Sequence, residues 1–272
     1  MTSHPSDAAL FNSVISRLGA VLGGTSTDGA NIVLIGGQAV LLWQARLRPY
    51  LHEPITGITT DDVDLATNNP LVMEACATAL DGILEKPSFD HHTPNLGTIT
   101  FTTEHGTTHR LDILSAPFGT RIDTIRHHAV PLTHPSGVTM FVIRPDDMLE
   151  ASIAKLAVLR PDDPMSVRHV RSSIATTRAF CEFLLDTDPE NLRVVHSVNR
   201  HVAEIAESLH ARSTYEKHGL DALDALMIEH RLVPEATRTE WYPRVCKRVE
   251  KTRGAEWLSA SDDDPSPDID TP

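Results

Sequence analysis

The chain has 272 residues, 40 % of them hydrophobic, and a formal net charge of −13. Such a chain is globular, long enough for one large domain or two modest ones, and is neither disordered nor fibrous overall. Its acidity excludes nucleic-acid binding driven by the overall field, so an RNA substrate must meet a local basic patch. The candidates are Arg168-His169-Val170-Arg171 and residues 244–253, which also suit solvated helix faces. A secretory leader is not expected, and no apolar run approaches the roughly 18 residues of a membrane span. Cys76, Cys181 and Cys246 are odd in number and far apart. They suit neither a disulfide framework nor a zinc site of usual spacing, and imply small core residues kept reduced in a cytoplasm.

Apolar residues at Leu10, Phe11, Val14, Ile15 and Leu18 predict a helix over 8–22 with one buried face. Gly23-Gly24 ends it, without the Gly-Lys-Ser/Thr of a P-loop. The run Ile32-Val33-Leu34-Ile35 predicts a buried strand, Gly36-Gly37 a tight turn, and the good helix formers over 38–46 a helix. After a polar loop, Asp61-Asp62-Val63-Asp64-Leu65-Ala66 alternates acid with apolar, the period of a half-buried strand. A helix is expected over 71–84, a strand over 98–103, a hairpin turn at Glu104-His105-Gly106-Thr107 and a returning strand over 109–114. A short strand follows within 137–143.

From Arg144-Pro145-Asp146-Asp147 onward the pattern is helical. Asp146 or Asp147 is expected to cap a helix over 148–159, with further helices over 176–185, 192–211, 219–230 and 239–257. Strands first and helices afterwards predict an α/β (α+β) domain with a mixed sheet over 1–144 and a helical domain over 145–258. Residues 259–272, with Asp262-Asp263-Asp264, are expected to form a disordered acidic tail.

The chemistry concentrates in three acids. On a strand, Asp62 and Asp64 share one face, about 6 to 7 Å apart, while Val63 points the other way. Like charges at ~4 Å repel by the order of 4 kcal/mol, which a cation between them relieves; Mg²⁺ (or Mn²⁺) suits carboxylate and phosphate oxygens. Asp112 lies between Leu111 and Ile113, where an unpaired charge is costly. Each acid alone also reads as an ordinary solvent-facing strand residue; the ordered set points to a site. The pairs His91-His92 and His127-His128 diverge on regular structure and read as loop histidines. Ser152 and Ser173 have no adjacent partner that makes a nucleophile. Trp241, Tyr242 and Trp257 suit helix packing, or stacking on a base.

Ile35-Gly36-Gly37, then Asp62-Val63-Asp64-Leu65, then Leu111-Asp112-Ile113 resemble the three signatures of the DNA polymerase β-like nucleotidyltransferase superfamily. Thr59-Thr60 before the acids is similar to the AbiEii/MenT-like branch of toxin nucleotidyltransferases. Residues 144–156, an acid-led apolar helix carrying Lys155, look like a helix of that branch; its later Lys-Asp pair has no counterpart in 160–173. The resemblance implies a nucleotidyltransferase domain that moves NMP from an NTP to an acceptor, with Asp62, Asp64 and Asp112 as catalytic, metal-binding residues. It implies Gly36, Gly37, Gln38, Thr60 and Lys155 as nucleotide contacts, although Gln38 and Lys155 also suit solvated helix positions. It further implies tRNA or another RNA as acceptor and a cognate antitoxin as partner. Two alternatives remain at this level: a catalytically inactive nucleotide-binding regulator, or transfer to a small molecule or a protein.

Overall fold

The computed structural model describes residues 5–26, 29–52, 63–87, 94–103 and 106–254. Helix α1 (Pro5–Leu22) buries Phe11, Val14, Ile15 and Leu18, the stripe that its periodicity predicts. A short ladder of β1 (Thr25–Ser26) with β2 (Gly29–Ala30) leads to β3 (Val33–Ile35), buried throughout. Helix α2 (Gly36–Leu47) follows at once. Gly36 has φ +67, a left-handed conformation that side chains disfavour, and this lets strand pass into helix without a loop.

Next come β4 (Val63–Ala66), α3 (Pro70–Ala79), β5 (Ile83–Glu85), β6 (Asn95–Thr102) and β7 (Thr108–Leu114). The helix expected over 71–84 is therefore shorter. Asp81 turns left-handed at φ +48, and the amides of Asp81 and Gly82 return to Thr78 O and Ala77 O, closing the helix end. The freed chain becomes β5, which pairs with β6. The expected hairpin joins β6 to β7, paired from Thr102 opposite Thr108. Short α4 (Ile122–His128), β8 (Val130–Thr133) and β9 (Thr139–Val142) complete this part.

Among the described residues, seven strands form one mixed sheet in the order β5-β6-β7-β4-β3-β9-β8. The pairs β3/β9 and β4/β7 are parallel and the rest antiparallel. With the helices around it, this is an α/β fold. No strand follows β9 among the described residues: α5 (Pro145–Ala154), a π-helical turn at Lys155–Leu159, α6 (Pro164–Thr187), α7 (Leu192–Ala206), α8 (Leu209–His218) and α9 (Tyr242–Gly254) come after it. The expected helix over 192–211 is broken because the Ser208 side chain accepts from Ala211 N and starts α8. The expected helix over 219–230 is reduced to a 3₁₀ turn at Ala222–Ala225. There Asn199 of α7 donates to Met227 O at 2.9 Å and accepts from Met227 N at 3.1 Å, which spends the backbone groups a helix needs.

Trp43 of α2 ties the early and late elements together. It is buried, donates from Nε1 to Ile143 O at 2.8 Å and meets the Phe180 ring of α6 edge-on at 5.1 Å. Among the described residues no helix is long and apolar enough to cross a membrane. The expected tail lies outside the described residues.

Candidate functional site

Asp64 on β4 and Asp112 on β7 are register partners in a parallel pair. Adjacent strands run about 4.8 Å apart, so the two carboxylates leave the same face of the sheet side by side. Their neighbours Val63, Leu65, Leu111 and Ile113 are buried on the other face. The row extends in both directions: Thr98 of β6 pairs with Asp112, and Ile35 of β3 pairs with Asp64. Thr98 donates its hydroxyl to Asp112 Oδ1 at 2.7 Å, fixing that carboxylate.

Directly beyond Ile35, Gly36 closes over Asp64, and a Cβ at Gly36 would run into the Asp64 carboxylate. Gly36 is thus required twice, by its φ and by this approach. The N-cap residue of α2 is Ile35, which has no side chain able to cap the helix, and no acid stands in its first turn. A helix N-terminus therefore opens beside two carboxylates, a place where an anion can bind if a cation sits between.

Of the residues singled out in the sequence, Gly36, Gly37, Asp64 and Asp112 are brought together. Gln38 is buried in the first turn of α2 and is engaged within the fold, so it is not a solvated surface residue. Asp62 and Thr60 lie outside the described residues, as do His91 and His92. Lys155 is half-buried where α5 passes into the π-helical turn. Its ammonium makes no hydrogen bond or ion pair among the described residues, and its charge is felt at His169 of α6, where burial and Lys155 lower the imidazole's pKa. Thr98 was not singled out; its place in an alternating strand carries no signal that it faces an acid.

A second polar cluster was misread in the sequence. Asp146 and Asp147 do not cap α5; the N-cap is Arg144, and both acids are buried inside the first turn. Arg144 grips Asp146 with two bonds of 2.6 Å, from Nε to Oδ1 and from Nη2 to Oδ2. His201 of α7 lies 2.9 Å from Asp146 Oδ2 and 3.8 Å from Asp147 Oδ1 through Nδ1, and 3.3 Å from Glu150 Oε2 through Nε2. His128 is not a loop residue: it ends α4 and places Nδ1 3.2 Å from both Asp147 oxygens.

The electrostatics follow from burial against pairing. Burial opposes charge on Asp146, but His201 and Arg144 prevail and hold it below the ordinary carboxylate range. For Asp147, burial and the neighbouring Asp146 prevail over His128, and its carboxyl is pushed up. Burial also opposes charge on His201, but hydrogen bonds with Asp146 and Glu150 raise it to about 10. The ligand atoms of Asp146, Asp147 and His201 all lie within 4.8 Å of one another, so this group could hold a metal ion. A cavity of about 380 Å³ opens onto it, lined also by Arg121, Arg200 and Glu204.

No family model matches the chain, and no curated protein matches it significantly.

Proposed function

We propose that the protein is a metal-dependent nucleotidyltransferase that moves NMP from an NTP to an acceptor. The pairing of Asp64 with Asp112 beside the Gly36-Gly37 turn carries this reading. Two carboxylates at strand spacing form an all-oxygen donor set, which suits Mg²⁺ or Mn²⁺, and Asp62, two residues before Asp64, would complete it. A bound ion there supplies charge neutralisation for the phosphates and the attacking oxygen.

The chain's own groups do the rest. Backbone amides of Gly36, Gly37 and the α2 N-terminus hold triphosphate oxygens, because no Cβ at Gly36 keeps them away. Thr98 holds one oxygen of Asp112, which leaves the other oriented to take the proton of an acceptor hydroxyl. Gln38, Thr60 and Lys155 contact the nucleotide by resemblance. The acceptor is tRNA or another RNA end, and the resemblance makes the protein the toxin partner of an antitoxin.

The test is transfer from each radiolabelled NTP with Mg²⁺ to total RNA. We expect label in RNA with wild type, and at least about a hundredfold less with Asp64→Asn or Asp112→Asn. Label in a small-molecule or protein fraction would change the acceptor. Metal-dependent NTP binding by calorimetry with no transfer to anything would make the protein a nucleotide-binding regulator.

A further inference from the structure

The transfer reading makes no use of the buried cluster at the start of α5. This cluster gathers several ligand-type side chains in one place. Asp146, Asp147 and Glu150 contribute three carboxylates, against one permanent cation, Arg144, whose contacts go to Asp146. With both imidazoles neutral, two negative charges remain in a site where Asp146 and Asp147 are buried. Either two imidazolium protons or one divalent cation can neutralise them.

The two donor separations that involve His201 suit a coordination shell, and all three donor atoms lie within 4.8 Å of one another. With metal–ligand bonds of about 2.1 Å, ligand atoms at right angles lie roughly 3 Å apart and those at wider angles up to roughly 4 Å. His201 Nδ1 lies 2.9 Å from Asp146 Oδ2 and 3.8 Å from Asp147 Oδ1. The other ring nitrogen faces Glu150 Oε2 at 3.3 Å. A metal-binding histidine commonly gives its second N–H to a carboxylate, which fixes the ring. Arg144 does the same for Asp146 by a two-point grip.

We infer that Asp146, Asp147 and His201 form a second metal site, separate from the Asp64–Asp112 row, for a divalent transition metal of the zinc class. An imidazole beside carboxylates favours Zn²⁺, Co²⁺ or Mn²⁺ over Mg²⁺. Glu150 is a positioning residue that orients His201. The adjoining cavity, lined by Arg121 and Arg200, leaves room for a water or an anionic oxygen as a further ligand.

The experiment uses the full chain carrying Asp64→Asn and Asp112→Asn, so that metal held by the row does not interfere. Co²⁺ is titrated at pH 8 and followed by its visible absorption, because metal binding needs deprotonated ligands. Zn²⁺ uptake is counted in parallel by equilibrium dialysis and elemental analysis. We expect one ion per chain. Adding His201→Gln should abolish uptake, and adding Glu150→Gln, at a half-exposed position where folding is secure, should weaken it about tenfold to a hundredfold. Circular dichroism confirms that each variant is folded. No uptake by the Asp64→Asn/Asp112→Asn chain would overturn the inference, whatever the transfer assay reports. Uptake unchanged by both His201→Gln and Glu150→Gln would overturn it as well and leave a proton-balanced ion-pair cluster.

Discussion

Gly36 shows how much one residue can carry. Its φ of +67 and the approach of Asp64 both forbid a side chain. Gly36→Ala should cost more than about 1 kcal/mol of stability in urea titration and remove the proposed nucleotide transfer together, because the Cβ displaces a carboxylate of the row. A substitution that lowered stability but left transfer intact would separate the two roles. The cysteines give a simpler contrast. Cys76 and Cys181 are buried, and burial pushes the Cys76 thiol up to about 12 and the Cys181 thiol up as well. Cys246 is only half-buried. A thiol reagent at pH 8 should therefore modify one thiol per native chain, Cys246, and all three in denaturant.

At the scale of elements, α1 forms where its apolar stripe predicts it, whereas the helix expected over 192–211 ends at Ala206 and the one expected over 219–230 is reduced to a 3₁₀ turn. Helix α7 buries Val195, Val198, Val202, Ala203, Ile205 and Ala206 along one face. The segment after α8 carries Leu220, Leu223, Leu226 and Met227 at helical spacing, yet its course is decided by Asn199 on α7, which takes both backbone groups of Met227. Asn199→Leu leaves a buried donor and a buried acceptor unmatched. It should destabilise the chain by about 2–4 kcal/mol, read from the shift in urea midpoint at constant m. The start of α5 is a similar case. Asp146 and Asp147 look like caps because acids favour a helix N-terminus. Here they are buried instead, because Arg144 from the same turn and His201 from α7 come to meet them.

For the molecule as a whole, pH sensitivity on the acid side has identifiable sources away from either cluster. Burial lowers the pKa of His134, and burial with Lys155 lowers that of His169. The unfolded chain then binds more protons than the folded one just below pH 6.5, the ordinary histidine value. Their contribution is present above that pH and lost as pH falls through it toward the folded values. Between pH 6.5 and 5.5 the wild type should lose more Tm than a His134→Asn/His169→Asn chain. Equal losses would mean that neither ring stays neutral in the fold.

What the sequence determined is local and periodic. The apolar run before Gly36 makes the buried strand Val33–Ile35, Gly36 takes the left-handed conformation that opens α2, and acid alternating with apolar around Asp64 and Asp112 places the acids on one face of their strands. These follow from side-chain period and backbone sterics, which act over a few neighbours. Tertiary structure decided what lies beside what. The parallel register sets Asp64 against Asp112, and β6 brings Thr98 to hold Asp112. His201, 55 positions from Asp146, completes the buried cluster. No local pattern reports these meetings, because a hydrogen bond or an ion pair depends on separation in space, and the chain between the partners leaves that separation open until the core has packed.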